Sequence, residues 1–319
     1  MSAMVGQDPA WMRGSVLVVL VLYRRRFSQV PCHARLRQWL TAPVDHAESA
    51  GALRIRHGLV YDNSPHADPE LLADPAFNGH VPNSVVTYRH DPDNGGTRGA
   101  YLCALDAACR RGDEWILLLD HDTDLPDAFL LAAEHALSAS PAADSVGAVV
   151  PRVRDRGVWI SPSRITVHGR VTPWVLQDRP ADSRTPVPDH LTAIASASLV
   201  RTSSLEAMLP VPAAFQLDYL DHWVFRQLLR QGASVAVSSA IVEHSLSVMD
   251  LSTMNVQRYR SILLAEWHYL RDDPRYSVGV HLSRLVLRTL KLAFSAKRPD
   301  LVRVCFSVAR EMVGTVGAS

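Results

Sequence analysis

The chain predicts an α/β fold built on a mostly parallel sheet, and three observations carry that prediction. Apolar runs of strand length alternate with segments of helical spacing from residue 15 to residue 153. The first run, 15–23, is continuously apolar, as in a parallel strand covered on both faces. Polar clusters close the runs: Asp62 after 53–61, Asn94 after 84–89, and Asp120 with Asp122 after 115–119. Ligands of open parallel sheets gather at the carboxyl ends of the strands, so these clusters mark one working edge.

The elements follow in order. Helical spacing over 30–42 succeeds the first strand. The second strand, 53–61, ends in the turn cluster Asp62-Asn63-Ser64-Pro65. A short β-branched strand covers 84–89, and Asn94-Gly95-Gly96 forms a loop. Helical spacing runs over 97–111, with Gly112 as its stop. Strand 115–119 precedes a helix over 125–138 and a strand over 145–153. Residues 154–190, rich in Pro, Arg and Asp, read as an extended loop region over a site. After the apolar stretch 191–200, residues 218–232 open with acids and continue as a helix to Gly232. Strand 233–242 then leads to His244. The architecture expected is a Rossmann-like sheet with helices on both faces and a C-terminal helical segment.

Composition narrows the function classes. The chain has 319 residues, with 33 Lys and Arg against 32 Asp and Glu, which gives no charge argument for nucleic-acid binding. Hydrophobic residues make up 47%, enough for a packed core and too many for a disordered chain. The cysteines Cys32, Cys103, Cys109 and Cys305 form no C-x-x-C pair, so a zinc or disulfide framework is not expected. Cys103 and Cys109 read as small core residues of a helix. The apolar run 16–22 is too short to span a bilayer, and its arginines follow it rather than precede it, unlike a secretory leader. The expectation is a cytoplasmic protein.

Trp115-Ile-Leu-Leu-Leu-Asp120-His-Asp122-Thr-Asp124-Leu-Pro126 is the most informative stretch. A strand has a side-chain period of two, so Asp120 and Asp122 are expected to point the same way as the chain leaves the sheet. Paired carboxylates there suit a divalent cation beside phosphate. An EF-hand is excluded, because the loop positions for Gly and Glu hold Leu125 and Leu131. A haloacid-dehalogenase-like phosphatase carries D-x-D-x-T at its first strand, whereas here the fifth position is Asp124 and three β-α units come first. A nucleotide-sugar transferase holds metal and diphosphate on such a pair. The structural alternative is a cap on the helix that starts near Leu125. In Phe215-Gln-Leu-Asp218-Tyr-Leu-Asp221-His222-Trp223, Asp221 is either a helix cap or a placed base, with Asp218 one helical turn earlier. His244 ends an apolar strand, and carboxylate metal sites accept one imidazole.

In this order the motifs resemble inverting family-2 glycosyltransferases of the GT-A fold, close to the bacterial rhamnosyltransferase-like group. The resemblance runs from about residue 16 to about residue 246. It rests on Leu22-Tyr23, Tyr61-Asp62-Asn63-Ser64, Asn94-Gly95-Gly96, Trp115 through Pro126, Leu217 through Arg226, and Glu243-His244. It implies a GT-A domain over 1–275, with a nucleotide-binding half at 15–153 and an acceptor and catalytic half at 154–275. Asp221 would be the catalytic base. Tyr23, Asp62, Asn94, Gly95, Arg98 and Asp120 would face the nucleotide, with Asp62 on the pyrimidine base. Arg98 is equally explained as a solvated helix charge. Asp122, His244 and Asp120 would hold Mg²⁺ or Mn²⁺, and His222 and Trp223 would meet the acceptor. The donor would be a UDP- or dTDP-sugar and the acceptor a glycan or lipid-linked hydroxyl. The chain departs from the rhamnosyl group at His121, where Gln is usual, at Ala195-Ser196-Ala197-Ser198, and at His222. Two other classes stay open: a phosphohydrolase using Asp120, and a sugar-nucleotide-binding protein without catalysis.

Residues 276–319 read as an amphipathic helical extension. Arg284, Arg288 and Lys291 recur at helical spacing over 281–298, beside a stripe of Leu282, Leu285, Val286, Leu290 and Ala293. Such a stripe serves either a core or a peripheral contact with the inner face of the cell membrane.

Overall fold

The computed structural model describes residues 14–41, 53–77, 86–140, 143–174, 190–244, 254–294 and 297–316. β1 (Ser15–Leu22) is buried along its whole length, and α1 (His33–Thr41) follows it. Next come β2 (Arg54–Asp62), α2 (Pro69–Ala73), β3 (Val86–His90) and α3 (Gly96–Arg111). The expected start of the third strand, 84–85, lies outside the described residues. Gly112 stops α3 at φ 73°, a left-handed conformation that glycine adopts without steric cost. β4 (Trp115–Asp120), β5 (Thr123–Asp124), α4 (Phe129–Ser138) and β6 (Val146–Asp155) complete the first half.

The stretch expected to be an extended loop is structured as far as residue 174. Arg156 and Gly157, at φ 49° and 81°, make a two-residue turn, and β7 (Val158–Ser161) returns antiparallel on β6. Two positive φ values in succession match the twist of the flanking strands, which is why this turn closes a hairpin. β8 (Ser163–Ile165), β9 (Val171–Pro173) and β10 (Leu191–Thr192) pair as a separate antiparallel sheet in the order β10-β8-β9. Residues 175–189 of that stretch lie outside the described residues.

β11 (Ser198–Arg201), α5 (Thr202–Glu206), α6 (Leu220–Arg230) and β12 (Ser234–His244) complete the main sheet. Its order is β3-β2-β1-β4-β11-β6-β12-β5, with β7 on β6. β1 to β4 pair in parallel, β11 runs antiparallel between β4 and β6, and β12 is parallel to β6. Alternation along β1 sets the layers. Leu17, Val19 and Val21 join a core with α3 and α6, while Val16, Val18, Leu20 and Leu22 join another with α1 and α4. Helices therefore cover both faces, as expected. α3 turns Ala100, Tyr101, Ala104, Leu105 and Ala108 inward, so Cys103 is only half-buried and Cys109 is exposed, contrary to their expected place in the core.

Three helices end the chain: α7 (Val256–Arg271), α8 (Val278–Phe294) and α9 (Pro299–Val316). None of the described helices is long and apolar enough to cross a membrane. α7 serves two cores. Ala265, Tyr269 and Leu270 pack with α3 and α6, whereas Tyr259, Leu263 and Trp267 pack with α8 and α9. A boundary at 275 thus falls between helices that share a core. The stripe expected on α8 is split: Leu285 faces that core, while Val286 and Leu290 are exposed. Arg288, expected among the surface cations, reaches inward to the buried Glu266, with Nη1 to Oε2 at 2.8 Å and Nη2 to Oε1 at 3.2 Å.

Removing the guanidinium strands a buried carboxylate. We expect Arg288→Ala to lose about 3 kcal/mol, the low end for breaking a buried pair because water reaches part of the arginine. Urea unfolding of the full chain measures this, and a loss under about 0.5 kcal/mol, typical of exposed pairs, would show that the pair is not structural.

Candidate active site

β4 delivers Asp120 to the carboxyl edge of the sheet, opposite Val21 of β1. The strand does not run on to Asp122, as the two-residue period required. The chain turns at His121 and Asp122, and β5 pairs antiparallel with the end of β12, with His244 opposite Thr123 and Glu243 opposite Asp124. The turn brings the two carboxylates together, and the same pairing adds the imidazole. One ligand atom from each of Asp120, Asp122 and His244 lies within 4.8 Å of the others.

Hydrogen bonds hold this corner. The Asp120 N–H donates to Ser196 Oγ at 2.8 Å. Ser196 Oγ lies 2.5 Å from Thr123 Oγ1, which lies 3.2 Å from His244 Nδ1. Asp122 Oδ1 stands 3.4 Å from the same Nδ1 and, although buried, accepts no hydrogen bond. Burial pushes the Asp120 carboxyl up to about 6; His244 opposes the shift, and the negative charges of Asp122 and Asp221 add to it. Two hard carboxylates, one imidazole and an orphaned buried oxygen fit Mg²⁺ or Mn²⁺.

Asp221 sits in the first turn of α6. Besides its effect on Asp120, its charge adds to burial and to Asp120 in raising the pKa of Tyr101, so both carboxylates act on one buried phenol. Asp218 is not one helical turn earlier, as expected. Tyr219 takes φ 62° and turns the chain, so α6 begins only at Leu220. The Asp218 side chain is 7% exposed; its Oδ1 accepts from Arg258 Nη2 at 2.9 Å, and its Oδ2 accepts nothing. Burial pushes this carboxyl up to about 6, with Arg258 opposing and Asp221 adding.

His222 follows Asp221, with Nδ1 2.6 Å from Thr192 Oγ1 and its ring against Tyr219 and Tyr269. Trp223, expected at the acceptor, is instead buried. It packs on Phe215 and lines a cavity of about 600 Å³ between α6 and the end of α7. Two residues along a helix is a rotation of about 200°, which turns Trp223 away from the side that Asp221 faces.

The expected nucleotide residues divide. Tyr23 is exposed at the end of β1, with the Arg24 guanidinium 5.1 Å from its ring centroid. Asp62 is buried, and its carboxylate accepts from the Ser64 N–H at 2.9 Å and the Tyr88 hydroxyl at 2.7 Å, so it orders its own loop. Asn94 adopts φ 55° ahead of α3. Gly95 packs closely on Asp91, whose Oδ2 accepts from the Gly95 N–H at 2.9 Å and would stand 2.7 Å from a Cβ placed there. Arg98 donates Nε and Nη2 to the Val211 carbonyl at 3.1 and 2.9 Å, clamping α3 to the 211–216 segment rather than facing a ligand.

Sequence reasoning missed Ser196, Thr123 and Arg25. Arg25 Nη1 donates to the His121 carbonyl at 3.4 Å, which brings a cation to the acidic corner. The run Arg24-Arg25-Arg26 immediately after β1 was the available signal for it. Positive backbone φ, visible only in the structure, recurs at the same places. Arg24, Ala197 and Tyr219 all have positive φ, and each lies within two residues of Arg25, Ser196 or Asp221.

No protein-family model matches the chain, and no curated protein matches it in sequence. Among solved structures it is similar to Staphylococcus aureus TarS. A crystal structure of TarS 1–349 in complex with UDP-GlcNAc aligns with a TM-score of 0.49 at 12% identity, covering 91% of this chain and 79% of that one. The structure of TarS 1–349 alone gives 0.47 at 11% identity, covering 94% and 92%. Against the longer TarS structure the TM-score is 0.45 at 12% identity, and the chain spans only 44% of that length. At such identity and TM-score no property of TarS transfers to this chain.

Asp218 gives a pH test. Its carboxyl binds a proton more tightly in the folded chain than in the unfolded one, so its contribution to stability is full below the unfolded value near 3.8 and is lost as pH rises through about 6. The parent should lose about 2 kcal/mol between those limits that Asp218→Asn does not lose. Urea unfolding of both proteins across that range measures it; parallel pH profiles would refute the assignment.

Proposed function

We propose that the chain is a metal-dependent inverting glycosyltransferase. It moves a hexosyl group, rhamnose among the candidates, from a UDP- or dTDP-sugar to a hydroxyl of a glycan or lipid-linked acceptor in cell-surface polysaccharide or glycolipid synthesis. The observation that carries the reading is the corner formed by Asp120, Asp122 and His244 at the carboxyl edge of a parallel sheet, with Asp221 close enough to raise the Asp120 pKa. The motif order along the chain supports the same chemistry independently.

A divalent ion held by Asp122, His244 and Asp120 would supply Lewis-acid neutralisation of the departing diphosphate. The chain's own groups do the rest. Arg25 and the exposed Tyr23 flank the corner on the nucleotide side, where Asp62 fixes the loop through Ser64 and Tyr88. The partly exposed Asp221 accepts the proton of the acceptor hydroxyl as that oxygen attacks the anomeric carbon from the side opposite the leaving group. Attack from that side inverts the centre. Such a base contributes about 10²- to 10⁴-fold. Holding the two reacting atoms about 3 to 3.5 Å apart contributes much of the remainder. His222, beside the base, is the acceptor-side contact, and Trp223 supports it from the core.

The phosphohydrolase reading lacks a lysine at the site. The chain's two lysines are Lys291, on α8, and Lys297, just before α9. A binding protein without catalysis has no need of Asp221 beside the acidic corner.

We expect Asp221→Asn to lower transfer about 10²-fold or more while nucleotide binding in Mn²⁺ stays within about twofold. Isothermal titration with UDP and dTDP, together with donor turnover, measures both; normal turnover would remove the base assignment. Asp122→Ala should abolish the Mn²⁺ dependence of nucleotide binding, and an unchanged dependence would remove the metal assignment.

A further inference from the structure

We propose that α8 and α9 form a docking surface for an anionic lipid bilayer. The inference stands independently of glycosyl transfer. It differs from the expectation for 281–298 in including α9 and in excluding Arg288, which is committed to Glu266.

Both helices are apolar on two sides. Leu285 and Leu292 of α8, and Val304, Val308 and Met312 of α9, fill the core shared with α7. Yet Leu287 is 66% exposed, Phe294 78%, Phe306 60% and Val313 55%. Each of these four residues stands three positions after a cation: Arg284 before Leu287, Lys291 before Phe294, Arg303 before Phe306, and Arg310 before Val313. Within each helix the unit repeats after seven residues, about two turns, so in each helix the cations and the apolar groups line adjacent strips, with Lys291, Arg303 and Arg310 exposed and Arg284 half-buried. Val286 and Leu290 widen the strip on α8.

The charge is of one sign. α8 contains no Asp or Glu. The two acids of α9 are already engaged, Asp300 with Arg298 and Glu311 with Arg260. Lys291, Arg303 and Arg310 are exposed and Arg284 is half-buried, and none of the four forms an ion pair among the described residues. An outward apolar strip rimmed by cations is the pattern of a helix that lies in the bilayer interface, where long basic side chains reach anionic headgroups. A second copy of this surface would bring like charges together, which disfavours self-association through it.

The test is co-sedimentation of the full chain with vesicles of phosphatidylcholine alone and of an equimolar mixture with phosphatidylglycerol. Binding to the mixed vesicles should be about tenfold or more tighter, and should weaken with salt. Phe294→Ser with Phe306→Ser should lower it by about tenfold or more, as should Lys291→Glu with Arg303→Glu, while thermal unfolding and nucleotide binding stay unchanged because the altered side chains are exposed. Equal affinity for both vesicles, no binding, or unaltered binding by either double variant would overturn the proposal. So would a dimer in sedimentation velocity that the Phe294→Ser, Phe306→Ser variant dissolves. Loss of nucleotide binding in the parent would count against the transferase reading and leave this one untouched.

Discussion

The two-residue pairing of β5 with the end of β12 is the constraint on which the acidic corner depends. Without it Asp122 would follow wherever the chain went after β4, and His244 would be an ordinary strand-terminal residue. With it, segments more than a hundred residues apart are locked in register, and the side chains of Asp120, Asp122 and His244 converge. The pairing is short, so it is reinforced. Ser196 serves as a hub, taking the Asp120 amide on one side and Thr123 on the other, and Thr123 passes the link to His244. Small hydroxyl groups suit this place because they satisfy buried donors without filling the space beside the carboxylates.

The opposite wall follows a related logic. β11 inserts antiparallel between β4 and β6, and the turn that feeds it holds Ala197 at positive φ, so that Ser196 points back at the end of β4. α6 is aimed by a second strained residue, Tyr219, which separates the buried Asp218 from the more accessible Asp221. Two carboxylates three residues apart thereby acquire different roles. One is tied to Arg258 of α7 and supports the fold, while the other stays partly exposed.

The carboxy-terminal helices connect to this centre through α7. Its inward residues divide between the main core and the helical core, and Arg258 and Arg226 bridge it to the segment carrying Asp221. The helical unit is thus a brace for the Asp218–Asp221 segment as well as the bearer of outward apolar side chains. The buried Glu266–Arg288 pair fixes which side of α8 turns inward. A helix apolar on both sides would otherwise be free to choose, and this pair removes the ambiguity.

Much was legible from the residues in order. The continuous apolar run of β1, the alternation of strand and helix periods, and Gly112 and Gly232 as stops determined an α/β sheet with both faces covered, because burial leaves few other ways to satisfy such patterns. Asp120, Asp122, Asp221 and His244 could be chosen because they terminate or open those elements. Spacing could not reveal that Asp62 would bind Tyr88, that Arg98 would clamp Val211, or that Arg288 would leave the surface for Glu266. Nor could it find Ser196. Each of those outcomes depends on a partner far away in the chain, and hydrogen bonds and ion pairs of that kind exist only once the sheet has brought the partners within reach. Local periodicity determined where side chains could point, and tertiary contact decided which of them remained available to a ligand.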